Sequence, residues 1–244
     1  MEIRIVHFYP DLMSLYGSYA NTALLKRHLT DLGNSVTVET VDYGQDADIA
    51  GADFLFMGAG TERSQKAALA DFLRFAPALK AAAADGASGL FAGTAMELLG
   101  KFLVDADGTS FPCAGLAEFT SVQKRTRLVG DVYGRTDLYE PAVVGYLNKC
   151  AVITGVAVPL LTSLEMGFGN EREGGPEGVR IGNVLGSELT GPLLVKNPLM
   201  LGAVIAAIYR RRGEPLPAEI PAYPYEENSY AITAQQLKLR CEKK

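Results

Sequence analysis

Apolar and polar positions along this chain follow two regimes. In the first half, short apolar runs alternate with segments of helical spacing. Residues 3–8 (IRIVHF) read as a first strand, stopped by Pro10. Residues 19–32 carry apolar residues at helical spacing and end at Gly33, and residues 35–41 (SVTVETV) form a second strand. Residues 53–58 (DFLFMG) predict a short buried strand entering a glycine turn. Residues 64–84 are Ala-rich and helical, with Pro77 expected to kink or break the helix. Residues 89–93 (GLFAG) are the next strand, and a helix is expected from about 94 to 102. This alternation predicts an α/β fold with a mostly parallel central sheet and helices on both faces.

The second half changes character. Strand-like segments dominate residues 108–158, and residues 167–178 (GFGNEREGGPEG) read as a polar, Gly-rich loop. Residues 179–189 predict another strand, and residues 197–212 the last core helix, with Asn197 as its N-cap. A Pro-rich connector (GEPLPAEIPAYP) leads to a terminal helix at residues 229–243. With neither an internal repeat nor a Ser/Gly linker, the expected organisation is one domain over residues 1–213, followed by the connector and C-terminal helix over residues 214–244.

Composition narrows the classes. The 244 residues are 48% hydrophobic, ample for a sizeable core. The net charge of −5, with both signs interspersed, argues against a nucleic-acid binder. Arg210, Arg211 and Arg212 are expected to complement the dipole of the helix they end. Cys113, Cys150 and Cys241 are odd in number and lack CxxC spacing, which points to a reducing, cytoplasmic setting. No apolar run is long enough for a membrane span. Neither a metal site nor a cofactor is expected.

The candidate chemistry lies in GLFAGTAMELLG, residues 89–100, a strand, a tight small-residue turn and a helix start. With YPDLMSLYGSYANTALLKRHL, FMGAGTERSQ, RLVGD, VVGYLNK, GFGN and GSELTGPLLVKNP, it resembles the class I glutamine amidotransferases of the cobyric acid synthase type. Within these the resemblance is closest to GatD-type subunits of lipid II isoglutaminyl synthase. The motifs occur in family order between Tyr9 and Pro198. The resemblance implies a flavodoxin-like amidotransferase fold. It also implies a Cys nucleophile on the strand-to-helix turn, a His that relays protons, backbone N–H groups that stabilise the oxyanion, and a partner that consumes the ammonia.

This chain departs from the pattern at the reacting positions. The family's Cys falls on Gly93, the following glycines on Thr94 and Ala95, and a Gln on Glu97. Its His falls on Thr190 and a Tyr on Glu188; Leu147, Asn148 and Lys149 replace Glu-Asn-His. The anion-binding turn survives in part as Gly58, Ala59 and Gly60, and Arg127 matches an Arg of the family's substrate cleft. Gly93 and Thr190 are therefore expected as degenerate nucleophile and base positions, close together across a cleft. Gly58, Ala59, Gly60, Thr94 and Arg127 are the expected ligand-binding residues.

The leading expectation is a subunit without glutaminase activity that partners a MurT-like ligase of the Mur ligase family, as a heterodimer or larger assembly. Tyr9, Tyr16 and Tyr19, and then Tyr223, Tyr225 and Tyr230, offer it aromatic surfaces. Two alternatives stay open: an active amidotransferase using displaced residues such as Cys113 or Cys150, or a small-molecule sensor reusing the glutamine pocket. His7, near the end of the first strand, is a weaker site candidate; His28 is expected on a helix surface.

Overall fold

The structure is a computed structural model that describes residues 1–218, 220–221 and 223–243. In chain order the elements are β1 (Glu2–Phe8), α1 (Ala20–Asp31), β2 (Ser35–Val41), β3 (Phe54–Met57), α2 (Glu62–Phe72), α3 (Ala76–Ala84), β4 (Ser88–Ala92) and α4 (Thr94–Glu97). There follow β5 (Phe102–Val104), β6 (Ser110–Pro112), β7 (Thr120–Arg135), β8 (Val143–Thr154), β9 (Ser163–Met166), β10 (Val179–Ile181), β11 (Val184–Ser187) and β12 (Leu189–Thr190). Three helices close the chain: α5 (Leu193–Lys196), α6 (Pro198–Arg211) and α7 (Pro224–Cys241).

The first sheet has the order β10-β11-β4-β3-β1-β2 and is parallel except for the β10–β11 pair. β3 and β4 are buried at every position, whereas the edge strand β2 is largely half-exposed. Central parallel strands covered on both faces read as continuous apolar runs for this reason. On one face, Val6, Phe8, Leu55, Met57 and Phe91 pack against Leu69 and Phe72 of α2 and Leu79 of α3. On the other, Ile3, Ile5, Phe54, Phe56 and Leu90 meet Leu25 and Leu29 of α1 and Leu201, Ile205 and Ile208 of α6.

A second sheet, β12-β8-β7-β5-β6 with β9 added to β7, is mainly antiparallel. α7 covers part of it, with Leu237 among Tyr133, Val144 and Met166. The chain passes from one sheet to the other through Ser187, Glu188 and Leu189, setting Thr190 beside the β4 turn. Among the described residues, no helix is long and apolar enough to cross a membrane.

Several elements differ from expectation. The segment at 94–102 is helical only over Thr94–Glu97; beyond it Leu98 and Leu99 are fully buried and Phe102 enters β5. Residues 179–189 form a hairpin, not one strand, because Gly182 turns at φ +59°. The Ala-rich helix breaks over a 3₁₀ turn at Leu73–Phe75, just before Pro77. Asn197 does not cap α6 with its side chain; it bonds both backbone polar groups of Val144 across to β8. Arg211 and Arg212 do more than offset a dipole: Arg212 binds the buried Asp53 at 2.6 and 2.7 Å, and Arg211 binds Asp85 at 2.7 Å. His28 is buried, not on the surface, because α7 covers α1 and Glu226 meets its Nε2 at 3.0 Å. Tyr9 is also fully buried, its hydroxyl donating to Asp71, whereas Tyr16 and Tyr19 are exposed.

Candidate functional site

The order of the parallel strands reverses between β1 and β3, leaving a crevice at their C-terminal ends where open α/β sheets take ligands. The turn after β3 and the loop after β1 meet there, through a bridge between Leu15 and Ala59. β4 ends beside them at Gly93, whose φ of +59° and ψ of −137° are open to glycine and strained for other residues. Its N–H donates to the Ser187 carbonyl at 2.7 Å. This is the sharp strand-to-helix turn on which a nucleophile is exposed in other α/β enzymes.

Thr190 stands against it. A Cβ built on Gly93 would lie 3.6 Å from the Thr190 Cγ2 and 2.7 Å from the Ala59 Cβ. The expected proximity of positions 93 and 190 is therefore what the fold produces. The Thr190 hydroxyl donates to the Tyr146 carbonyl at 3.1 Å. Both donor and acceptor of Gly60 are taken by Thr94: the Gly60 N–H donates to Thr94 Oγ1, and that hydroxyl donates back to the Gly60 carbonyl, each at 3.0 Å.

Ala59, Gly60, Thr94, Arg127 and Thr190 line one cavity of about 160 Å³, together with Leu15, Tyr16, Thr61, Glu62 and Asn148. Of the expected ligand-binding residues, Gly58 is set apart from this lining, as is the turn residue Gly93. Gly58 is closely packed against Ser18 and the Met13 carbonyl, where a Cβ would meet atoms at 2.2 and 2.4 Å. Glu62, Tyr16 and Asn148 were not singled out as ligand-site residues. Arg127 Nη1 bonds Glu62 at 2.5 Å, its Nε bonds Asn148 Oδ1 at 2.7 Å, and its Nη2 bonds the Asn148 carbonyl at 2.9 Å. Asn148 Nδ2 in turn donates to the Tyr16 hydroxyl at 3.0 Å.

The displaced cysteines are poor nucleophiles. Burial and nearby carboxylates push the Cys150 thiol up to about 12, and it donates to Glu62 Oε1 at 3.4 Å. Cys113 is likewise pushed up to about 12, chiefly by burial. A thiol held protonated is neither nucleophile nor good ligand. His7 is buried edge-on to Phe56, and burial lowers it to about 4. The cavity lining contains no Cys and no His.

Behind the turn lies a buried polar cluster. Gln65 Nε2 donates to the Thr94 carbonyl at 2.7 Å, while Gln123 Nε2 lies 2.8 Å from Gln65 Oε1 and 3.2 Å from Glu97 Oε2. Glu97, Glu177 and Glu188 are all buried, as is Lys149. Glu177 accepts from the Glu188 N–H at 2.6 Å and the Ser187 hydroxyl at 2.9 Å. Lys149 Nζ donates to the Gly169 carbonyl at 2.6 Å. Burial pushes Glu97 up to about 7 and raises Glu177 and Glu188. One ammonium thus faces three carboxyls that desolvation favours keeping protonated.

The parallel sheet, the sharp turn after β4 and the facing glycine-containing turn define the glutamine amidotransferase class of α/β folds. Solved structures share the architecture. The glutaminase domain of Trypanosoma brucei CTPS aligns with a TM-score of 0.55 at 12% identity, over 91% of this chain and 98% of that one. A chain of PurLQS from Thermotoga maritima aligns with a TM-score of 0.53 at 13% identity, over 86% and 97%. Likeness at such identity is one of fold alone.

The chain belongs to the CobB/CobQ-like glutamine amidotransferase domain family, whose model matches residues 4–198. It is similar to the GatD subunit of the glutamine-hydrolyzing lipid II isoglutaminyl synthase of Staphylococcus aureus (strain N315). The two are 29% identical over 237 residues, 97% of this chain and 94% of the relative. The GatD subunit of Streptococcus pneumoniae (strain ATCC BAA-255 / R6) is 30% identical over 231 residues, 91% of this chain and 86% of the relative.

Proposed function

We propose that this chain is an amidotransferase-like subunit without glutaminase chemistry. It partners a MurT-like enzyme of the Mur ligase family in the cytoplasm and contributes docking and regulation, not ammonia, to amidation of a cell-wall precursor or a related amide-forming reaction. The observation that carries this reading is Gly93. The turn that would expose a nucleophile bears no side chain, and the Ala59 Cβ stands 2.7 Å from where a Cβ would be. Thr190 supplies no group that titrates near neutrality, so position 190 offers the turn no base.

Two further features support the reading. The Gly60 N–H, a candidate oxyanion donor, is already bonded to Thr94. Cys113 and Cys150, the possible substitutes, are held protonated far above neutral pH. The partnership rests on similarity to proteins that are themselves synthase subunits. It is also supported by exposed Leu15, Tyr16, Tyr19, Val129 and Tyr146, of which Leu15 and Tyr16 line the cavity.

The test is co-purification from the native host with mass spectrometry, followed by ammonia release from glutamine by the isolated chain and by the complex. The expected result is a stably bound Mur-ligase-like enzyme and no glutamine hydrolysis attributable to this chain. Ammonia release abolished by Cys113→Ser or Cys150→Ser would establish the displaced-residue enzyme instead. Recovery of a lone chain at micromolar concentration would favour the sensor.

A further inference from the structure

Among the described residues that line the cavity, Arg127 is the one cation, and its guanidinium is already committed within the chain. Asn148 takes Nε and Nη2 at 2.7 and 2.9 Å, and Tyr16 holds Asn148 from the other side at 3.0 Å. This rack fixes the plane of the guanidinium and leaves Nη1 pointing at Glu62, 2.5 Å away. Arginine presents a planar fork that fits a carboxylate, and here the carboxylate is the protein's own.

Glu62 is well placed to stay there. It occupies the first turn of α2, whose start is fixed by the Thr61 side chain accepting from the Ser64 N–H at 3.0 Å. The Cys150 thiol donates to the same Glu62 Oε1 at 3.4 Å. Burial alone would raise the Glu62 pKa, but the Arg127 hydrogen bond and charge bring it below its ordinary value, so it is ionised at neutral pH.

We propose that Glu62 is an internal stand-in for a ligand carboxylate: it keeps the cleft closed to free amino acids and other small carboxylates, and removing its charge turns Arg127 into a carboxylate-binding site. A tethered carboxylate competes at an effective concentration on the order of millimolar or above, so a free one at lower concentration is displaced. The cavity of about 160 Å³ bounded by Ala59, Gly60 and Thr94 leaves room for a small molecule once the ion pair opens. The Arg127 side chain is 40% exposed, so neutralising Glu62 strands no buried charge.

This deepens the non-catalytic reading of the same cleft but is tested by binding, so the two can fail separately. L-glutamine and acetate are titrated calorimetrically into wild type, Glu62→Gln, Glu62→Ala and Glu62→Gln/Arg127→Gln. Glu62→Gln keeps the side-chain volume and the helix start. The expected result is no saturable binding to wild type below about 1 mM, at least about tenfold tighter binding of both probes by each single variant, and its loss in the double variant. Ammonia release is expected to be nil in all four and bears only on catalysis. Wild type binding either probe as tightly as the single variants, both single variants failing to gain affinity, or the double variant keeping the gain would each overturn the proposal.

Discussion

Gly93 and Ala59 exclude each other's side chains: the Cβ that Gly93 lacks would lie 2.7 Å from the Ala59 Cβ, well inside van der Waals contact. The turn after β4 and the turn facing it are therefore fitted to each other. Gly93→Cys should destabilise the fold by about 2–6 kcal/mol, combining about 1–3 kcal/mol for a side chain at φ +59° with about 1–3 kcal/mol for overpacking. Ala59→Gly in the same chain removes the second part only. Urea unfolding of the two single variants and the double should give a favourable coupling of about 1 kcal/mol or more. Strict additivity would mean that the two positions do not compete for this space.

The reciprocal bonds between Thr94 and Gly60 yield a second test. Thr94→Val keeps the shape but leaves the Gly60 N–H and carbonyl without the hydroxyl, a loss of about 1–3 kcal/mol for buried polar groups. Thr94→Ser, which retains the hydroxyl, should lose less than half of that. Thermal unfolding of the three proteins decides it: a Val variant as stable as wild type, with the loss confined to Ser, would show that the methyl, not the hydroxyl, matters.

These pairings explain what could be read from the sequence. The central strands were legible because β3 and β4 are buried on both faces and so appear as unbroken apolar runs. α4 was overextended because Leu98 and Leu99 continue the apolar pattern, though they are buried as part of a loop. The neighbourhood of positions 93 and 190 followed from motif order. Glu62 did not, because its partner Arg127 lies 65 residues away. The burial of His28 was equally illegible, since the helix that covers it begins nearly 200 residues later, and Glu226, its partner, lies 198 positions along the chain. A periodic pattern shows which face of an element is apolar; it does not show which polar groups the tertiary fold brings together across that face.

Glu97 makes stability depend on pH. Its folded pKa of about 7 lies above the ordinary value of 4.5, first because of burial and then despite hydrogen bonds from Gln123 and Gln65. The folded state therefore holds a proton that the unfolded state releases. Stability is full below about pH 4.5 and is lost as pH rises toward 7. Glu97→Gln stays neutral throughout. Its advantage over wild type should grow across that window and level off above it, on the order of 2–3 kcal/mol. Chemical denaturation at pH 5 and pH 8 measures this, and an advantage equal at both values would locate the acidic proton elsewhere.

Lys149 tests the cluster from the opposite charge. It is buried, donates to the Gly169 and Asn170 carbonyls at 2.6 and 3.3 Å, and is the ammonium that offsets Glu97, Glu177 and Glu188. Lys149→Met keeps the chain length of the stem but removes the charge and both hydrogen bonds. At pH 8, where the carboxyls are pressed toward ionisation, the loss should be about 3–5 kcal/mol, the cost of stranding buried charge. At pH 5 Glu97 keeps its proton, so its share of the electrostatic loss vanishes and the deficit shrinks toward the hydrogen-bond part. Adding Glu97→Gln to Lys149→Met should therefore recover stability at pH 8 and change little at pH 5. Unfolding curves for the single and double variants at the two pH values check this directly. A deficit for Lys149→Met independent of pH would show that Lys149 serves the Gly169–Asn170 loop alone and carries no electrostatic role behind the Gly93 turn.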